Sequence, residues 1–134
     1  MLFCQLEQFT EIQNKRKNVW NQYYSSLKPL EEKGWLRLPA LPDYATLNGN
    51  LFFIMLNSSK ERSDLLAYLN KHGIHAVFHY LPLHSSDFFK NKHDERILQN
   101  TDRFSDCILR LPFYNEMKGE EIDQVVNTVK SFYN

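Results

Sequence analysis

The run Val77-Phe78-His79-Tyr80-Leu81-Pro82-Leu83-His84 puts two histidines, a tyrosine and a proline into one short stretch, and Ile74-His75-Ala76 leads into it. Aromatic and β-branched residues favour extended backbone here. Pro82 has no amide for a sheet ladder, so the strand is expected to end at about Leu81. The proline ring also keeps Leu81 extended. His79, Tyr80 and His84 therefore fall at a strand end and in the loop after it, where folds commonly carry function. The plainer reading is a half-buried strand with hydrogen-bonded polar tips.

Working outward, the stretch is preceded by a helix and, before that, a strand. Leu51 to Leu56 is a nearly continuous apolar run and reads as a central strand. Ser58-Ser59-Lys60-Glu61 has the form of a capping box, and Leu65, Leu66 and Leu69 share one face of the helix it opens, which Gly73 stops. The strand at 51–56, this helix and the strand at 75–81 suit a right-handed crossover unit. Downstream, Ser85 to Lys92 is a polar loop in which Phe88 and Phe89 suit a short helical turn. Asp94 to about Cys107 reads as a helix with Ile97, Leu98, Thr101 and Phe104 inward. Ile108-Leu109-Arg110-Leu111-Pro112 is a short strand, and a last helix from about Gly119 carries Ile122, Val125, Val126, Val129 and Phe132 on one stripe.

Residues 2 to 27 read as one long helix, from the three- and four-residue spacing of Leu2, Leu6, Phe9, Ile12, Val19, Trp20, Tyr23 and Leu27. Its start has no cap, which suits either further chain upstream or a frayed end. Lys15-Arg16-Lys17 reads as a solvated helix face. Pro29 is expected to end or kink this helix, with Gly34 as the final stop. Trp35 to Pro39 is a short strand, and Pro39 to Asn50 is a loop. The order of elements predicts an α+β fold: one domain over residues 1–134, with a small mixed or antiparallel sheet, helices mainly on one face, and a long N-terminal helix leading.

The 134 residues suit a single domain, and 43% are hydrophobic, enough for a core. Sixteen basic residues balance sixteen acidic ones. That balance argues against nucleic acid or an anionic membrane as partner. No apolar run approaches the roughly 20 residues of a membrane helix, and Met1 leads into no signal segment, so a cytoplasmic location is expected. Cys4 and Cys107 form no pair motif and read as reduced thiols, Cys107 as a small core residue. No Gly-rich phosphate loop, paired-cysteine metal motif or G-x-S-x-G elbow is present. His75 and His79 would share a strand face about 13 Å apart at ~3.3 Å per residue, too far to bind one ion, so no metal is expected. The residues by themselves thus outline an α+β domain with one polar-aromatic strand end and no complete catalytic set.

Several segments together resemble the C-terminal domain of the DegT/DnrJ/EryC1/StrS family of pyridoxal-phosphate (PLP) sugar aminotransferases. Gln5-Leu6-Glu7 heading a long helix with Arg16 and Tyr23-Tyr24 is similar to the helix after the family's large domain. Gly73-Ile74 and the Val77–His84 stretch are similar to its His-Tyr-x-Pro-Leu-His segment. Leu109-Arg110-Leu111-Pro112-Phe113-Tyr114-Asn115 is similar to its Arg-Leu-Pro strand and turn. Within the family the enterobacterial common antigen transaminases that make dTDP-4-amino-4,6-dideoxygalactose look most alike. The resemblance spans all 134 residues. It departs from the family at Lys118-Gly119, where a serine or threonine cap is expected.

The resemblance implies the small C-terminal domain of a fold-type I aminotransferase. The Schiff-base lysine, the aspartate at the pyridine nitrogen and most phosphate contacts belong to a large domain that this sequence does not include. Lys71 and Lys90 match no family cofactor site. The chain alone is therefore expected to bind no PLP and to have no catalytic residue, needing a large PLP-binding domain in cis or in trans. A homodimer is also compatible with the family. By resemblance, His79, Tyr80 and His84 line the nucleotide-sugar side of the cleft and hydrogen-bond sugar or phosphate oxygens. This reading predicts an exposed aromatic patch where the large domain docks. The alternative is a freestanding ligand-binding or interaction module that reuses the fold.

Overall fold

The computed structural model describes residues 2–89, 91, 92, 94 and 96–134. The side chains of Leu2, Cys4 and Gln5 fall outside that description, so the readings of Cys4 as a thiol and of Gln5 as a family position lie outside it, as do those on Met1 and Lys90. In chain order the elements are α1 (Leu2–Glu7), α2 (Phe9–Glu32), β1 (Leu36–Arg37), β2 (Phe53–Leu56), α3 (Ser59–Lys71), β3 (Val77–Phe78), a 3-10 turn at Leu83–Ser85, α4 (Gln99–Cys107), β4 (Ile108–Arg110) and α5 (Gly119–Phe132). The four strands form one antiparallel sheet in the order β1-β2-β4-β3. This is the expected α+β class with a long N-terminal helical region.

Side-chain alternation along the strands decides where the core lies. Phe52, Ile54 and Leu56 point to one face with Leu109 and Leu111, and all five are at most 4% exposed. Against that face pack Val19, Tyr23, Leu27 and Leu30 of α2, Leu65 and Leu69 of α3, and Ile122, Val125, Val126 and Val129 of α5. Tyr23 is fully buried and stacks on Phe52 at 5.1 Å, and its hydroxyl donates to the Pro112 carbonyl at 3.0 Å. Burial pushes the Tyr23 phenol far above its ordinary range. Met55, Cys107 and Ile108 are buried away from this cluster.

The capping expectations meet different outcomes. Ser58 accepts the Glu61 amide at 3.1 Å, as a capping box requires, and Glu61 reaches back to the Asn57 amide at 3.1 Å. Glu61 also accepts the Tyr133 hydroxyl at 2.9 Å, joining the start of α3 to the end of α5. At α5 no serine or threonine caps the helix; Glu121 accepts the Lys118 amide at 2.7 Å and the Tyr114 hydroxyl at 2.7 Å. Gly34 and Gly73 both adopt φ +74° and terminate α2 and α3 as expected.

Four expectations need correction, and a fifth, the crossover, takes a particular form. The helix expected over 2–27 is two helices, separated at Gln8. Pro29 does not end α2, which continues to Glu32: Leu30 is buried at 4% exposure, and Glu31 accepts from the Leu38 amide at 2.8 Å and Lys28 at 2.6 Å. Those contacts outweigh the roughly 3 kcal/mol that an interior proline costs. The strand expected up to Leu81 is only Val77–Phe78, because its partner β4 has three residues and the Ala76 amide turns back to the Ile74 carbonyl. The expected crossover unit forms in a split version: β2 and β3 are both antiparallel to β4, hence parallel to each other, and α3 joins them across it. Finally, α4 starts at Gln99, and Ile97, Thr101 and Phe104 are exposed, Ile97 at 80%. Thr101 and Phe104 border an open cleft instead of the core.

The N-terminal apolar stripe follows the same logic. From Val19 onward it is buried, whereas Phe3, Leu6 and Phe9 are exposed at 72%, 59% and 54%. The basic run is solvated only in part. Lys15 pairs with exposed Glu11 at 2.7 Å, but Arg16 is half-buried beneath the loop at Gly49.

Candidate functional site

The site grows from the end of β3. Val77 and Phe78 pair with Arg110 and Leu109 of β4, and the chain then leaves the sheet at His79. The His79 ring is half-buried and meets the Tyr80 ring edge-on at 4.9 Å. Its Nδ1 is buried and has no hydrogen-bond partner. Tyr80 is 76% exposed, while its carbonyl accepts from Ser105 Oγ of α4 at 3.3 Å. That bond fastens the loop to α4 rather than to a strand.

Pro82 then sets the next turn. Its carbonyl accepts from the Ser85 amide at 3.2 Å and from Ser85 Oγ at 3.0 Å. The turn delivers His84 to α4, where Nε2 lies 2.9 Å from Asp102 Oδ1. The His84 side chain is 17% exposed and that of Asp102 45%. Ser105 and Asp102 thus hold the two ends of the Tyr80–His84 segment against one helix.

Between segment and helix lies a cleft of about 420 Å³. His79, Tyr80, Leu81 and Pro82 form one wall; Asn100, Thr101, Phe104 and Ser105 form the other, with Ile108 at the base of the sheet side. Of the three expected site residues, His79 and Tyr80 line this cleft. His84 lies on the same segment but turns to Asp102 and is not part of the lining. His75 sits before β3 rather than on it, so strand alternation does not relate it to His79. Among the described residues no group of three metal-ligating side chains comes together.

Sequence reading missed the α4 wall, because Thr101 and Phe104 fit a core-facing helical period. The available signal was the polar run Asn100-Thr101-Asp102 at the head of that helix, opposite a histidine-rich turn.

The family model for DegT/DnrJ/EryC1/StrS aminotransferases matches residues 1–130. The chain belongs to that family. Solved structures agree on the fold. DesV of S. venezuelae, in complex with a ketimine intermediate, superposes with a TM-score of 0.88 at 22% identity, over 98% of this chain and 34% of its own. Helicobacter pylori PseC, an aminotransferase involved in pseudoaminic acid biosynthesis, gives 0.83 at 20% identity, over 96% of this chain and 34% of its own. NtdA of Bacillus subtilis, with bound cofactor PMP, gives 0.76 at 25% identity, over 87% of this chain and 27% of its own. The chain thus spans about a third or less of the length of these structures. No described helix is long and apolar enough to cross a membrane.

The described residues do not fit PLP. The cofactor needs a lysine for its Schiff base and a charged partner for its ring nitrogen. No described lysine is buried, and among the described residues neither a lysine nor a carboxylate lines the cleft.

Proposed function

We propose that this chain is the small-domain portion of a PLP-dependent nucleotide-sugar aminotransferase and is inactive without a large domain in cis or trans. The full enzyme transfers an amino group to a dTDP-4-keto-6-deoxyhexose in cell-surface polysaccharide or lipopolysaccharide synthesis. Its type is the dTDP-4-amino-4,6-dideoxygalactose transaminase of enterobacterial common antigen synthesis. The observation that carries this reading is the family match joined to the half-buried His79, with its unpartnered ring nitrogen, on a cleft wall. His79, Tyr80 and His84 bind and orient the nucleotide sugar through hydrogen bonds; none of them moves a proton in the reaction. The cofactor supplies the electron sink, and the large domain holds it. Exposed Phe3, Leu6 and Phe9 support docking of that domain, because an apolar run of this kind is costly to leave in water.

The test is an assay of the purified chain with PLP, glutamate and a dTDP-4-keto-6-deoxyhexose. The expected result is no amino sugar and no Schiff-base absorbance. Joining the chain to a family large domain should give turnover, with KM raised by His79→Ala or His84→Ala and kcat little changed. Transamination by the chain alone, or an unchanged KM in both variants, would overturn the reading.

A further inference from the structure

We infer that the groove between the start of α2 and the loop at 46–48 seats an extended polypeptide segment of the large domain, one that carries an acidic side chain. This rests on the reading above that a large domain completes the protein, and it adds where and by what chemistry that domain is held. The groove has a volume of about 320 Å³. Thr10, Gln13, Asn14 and Lys17 of α2 form one wall; Thr46 and Asn48 form the other. The two walls are fixed to each other at Gly49, where an added Cβ would lie 3.1 Å from Arg16 Cβ. A residue without a side chain lets the loop sit this close to the helix.

The first observation is an orphaned group. Gln13 Oε1 is buried without a hydrogen-bond partner, on a side chain that lines the groove. An unpaired buried acceptor is destabilising, and a donor in the groove would remove that cost. Rotation about the last bond of a glutamine side chain is soft, so the amide can turn to meet one. The second observation is the match between the lining and a main chain. Side-chain amides donate and accept, as a peptide unit does, and hydroxyls do the same. From Thr10 to Lys17 the helix rises about 10 Å at ~1.5 Å per residue. That is the length of three extended residues at ~3.3 Å each.

The third observation is charge. Lys15 pairs with Glu11 at 2.7 Å, whereas half-buried Lys17, among the described residues, forms no ion pair. A cation at the last helix position of the groove selects a carboxylate on whatever lies there. The fourth is continuity. Phe9 also lines the groove and continues the exposed stripe of Phe3 and Leu6. A domain that covers the stripe runs on into the groove, while a small ligand in the groove would leave the stripe in water.

The experiment compares the chain alone with the chain joined to a family large domain, both labelled with 15N. In the chain alone, the side-chain amide signals of exposed Asn14 and Asn48 should be broadened by a soluble gadolinium chelate. In the joined protein they should be shielded from it. Gln13→Leu removes an unpaired group from the chain alone, so its thermal midpoint should hold or rise; in the joined protein the midpoint should fall, because a bond to the segment is lost. Lys17→Met is the second variant, neutral in the chain alone and destabilising in the joined protein. Asn14 and Asn48 as open to the chelate in the joined protein as in the chain would overturn the inference, and so would equal midpoint changes in the two proteins. Turnover by that same joined protein would leave the large-domain reading standing. Neither shielding nor turnover would overturn the two together. Shielding of Asn14 and Asn48 in the chain alone by added glutamate would assign the groove to a small ligand and overturn the inference as well.

Discussion

Glu61 shows how much one side chain can organise. It caps α3 through the Asn57 amide and accepts the Tyr133 hydroxyl from α5. Burial and the Glu61 carboxylate push the Tyr133 phenol well above its ordinary range. Glu61→Gln and Tyr133→Phe should each lower stability by about 1 kcal/mol, and urea denaturation of the double variant should show a coupling of about 0.5–1.5 kcal/mol. Strict additivity would count against the bond. Gly49 makes a sharper case. Its φ is +56°, and an added Cβ would lie 3.1 Å from Arg16 Cβ and 3.2 Å from α2 backbone. Gly34 has φ +74° with open space around it. Gly49→Ala should therefore cost more than Gly34→Ala, about 2–3 against about 1 kcal/mol, measured as a difference in thermal midpoint.

At the scale of the element, α5 starts on a carboxylate instead of a hydroxyl cap. The Lys118 backbone amide, and after it the Tyr114 hydroxyl, hold the Glu121 carboxyl below its ordinary 4.5. A depressed carboxyl stabilises the fold above its unfolded value and loses that contribution as pH falls through the lower, folded value. Thermal midpoints followed from neutral to about pH 3 should fall less steeply in Glu121→Gln than in the parent. Identical slopes would show that Glu121 carries none of the acid sensitivity. The helix α4 gives the opposite lesson. Its apolar period is real, yet Phe104 is 50% exposed and faces the cleft. Phe104→Ala should change stability by no more than about 0.5 kcal/mol, as at other exposed positions.

For the whole molecule, one face of a four-stranded sheet carries the core, and the start of the N-terminal helical region carries exposed apolar side chains. Leu109 is fully buried at the centre of that core on β4, between β2 and β3. Leu109→Ala should cost about 2–5 kcal/mol in urea denaturation with the slope unchanged. Against typical domain stabilities of about 5–15 kcal/mol this is a large loss, and the contrast with Phe104→Ala separates core from site. In the N-terminal helices, adding a family large domain should protect the amides of α1 and the first turns of α2 from hydrogen exchange. Unchanged exchange there would argue that Phe3, Leu6 and Phe9 dock nothing.

The local rules legible in the sequence are those set by near neighbours: the Ser58–Glu61 cap, the stops at Gly34 and Gly73, the α5 stripe, the central run at 51–56 and the polar strand end at His79. Each depends on spacing within a few residues, which the chain carries wherever it folds. The tertiary structure alone decided what lies opposite. It carried α2 past Pro29 by burying Leu30, cut β3 to two residues because β4 is short, and set β4 between β2 and β3. It also turned His84 to Asp102 and left Thr101 and Phe104 open beside His79. An apolar period says that a face seeks cover, but not whether the same chain provides it. That is settled by contacts between residues far apart in sequence.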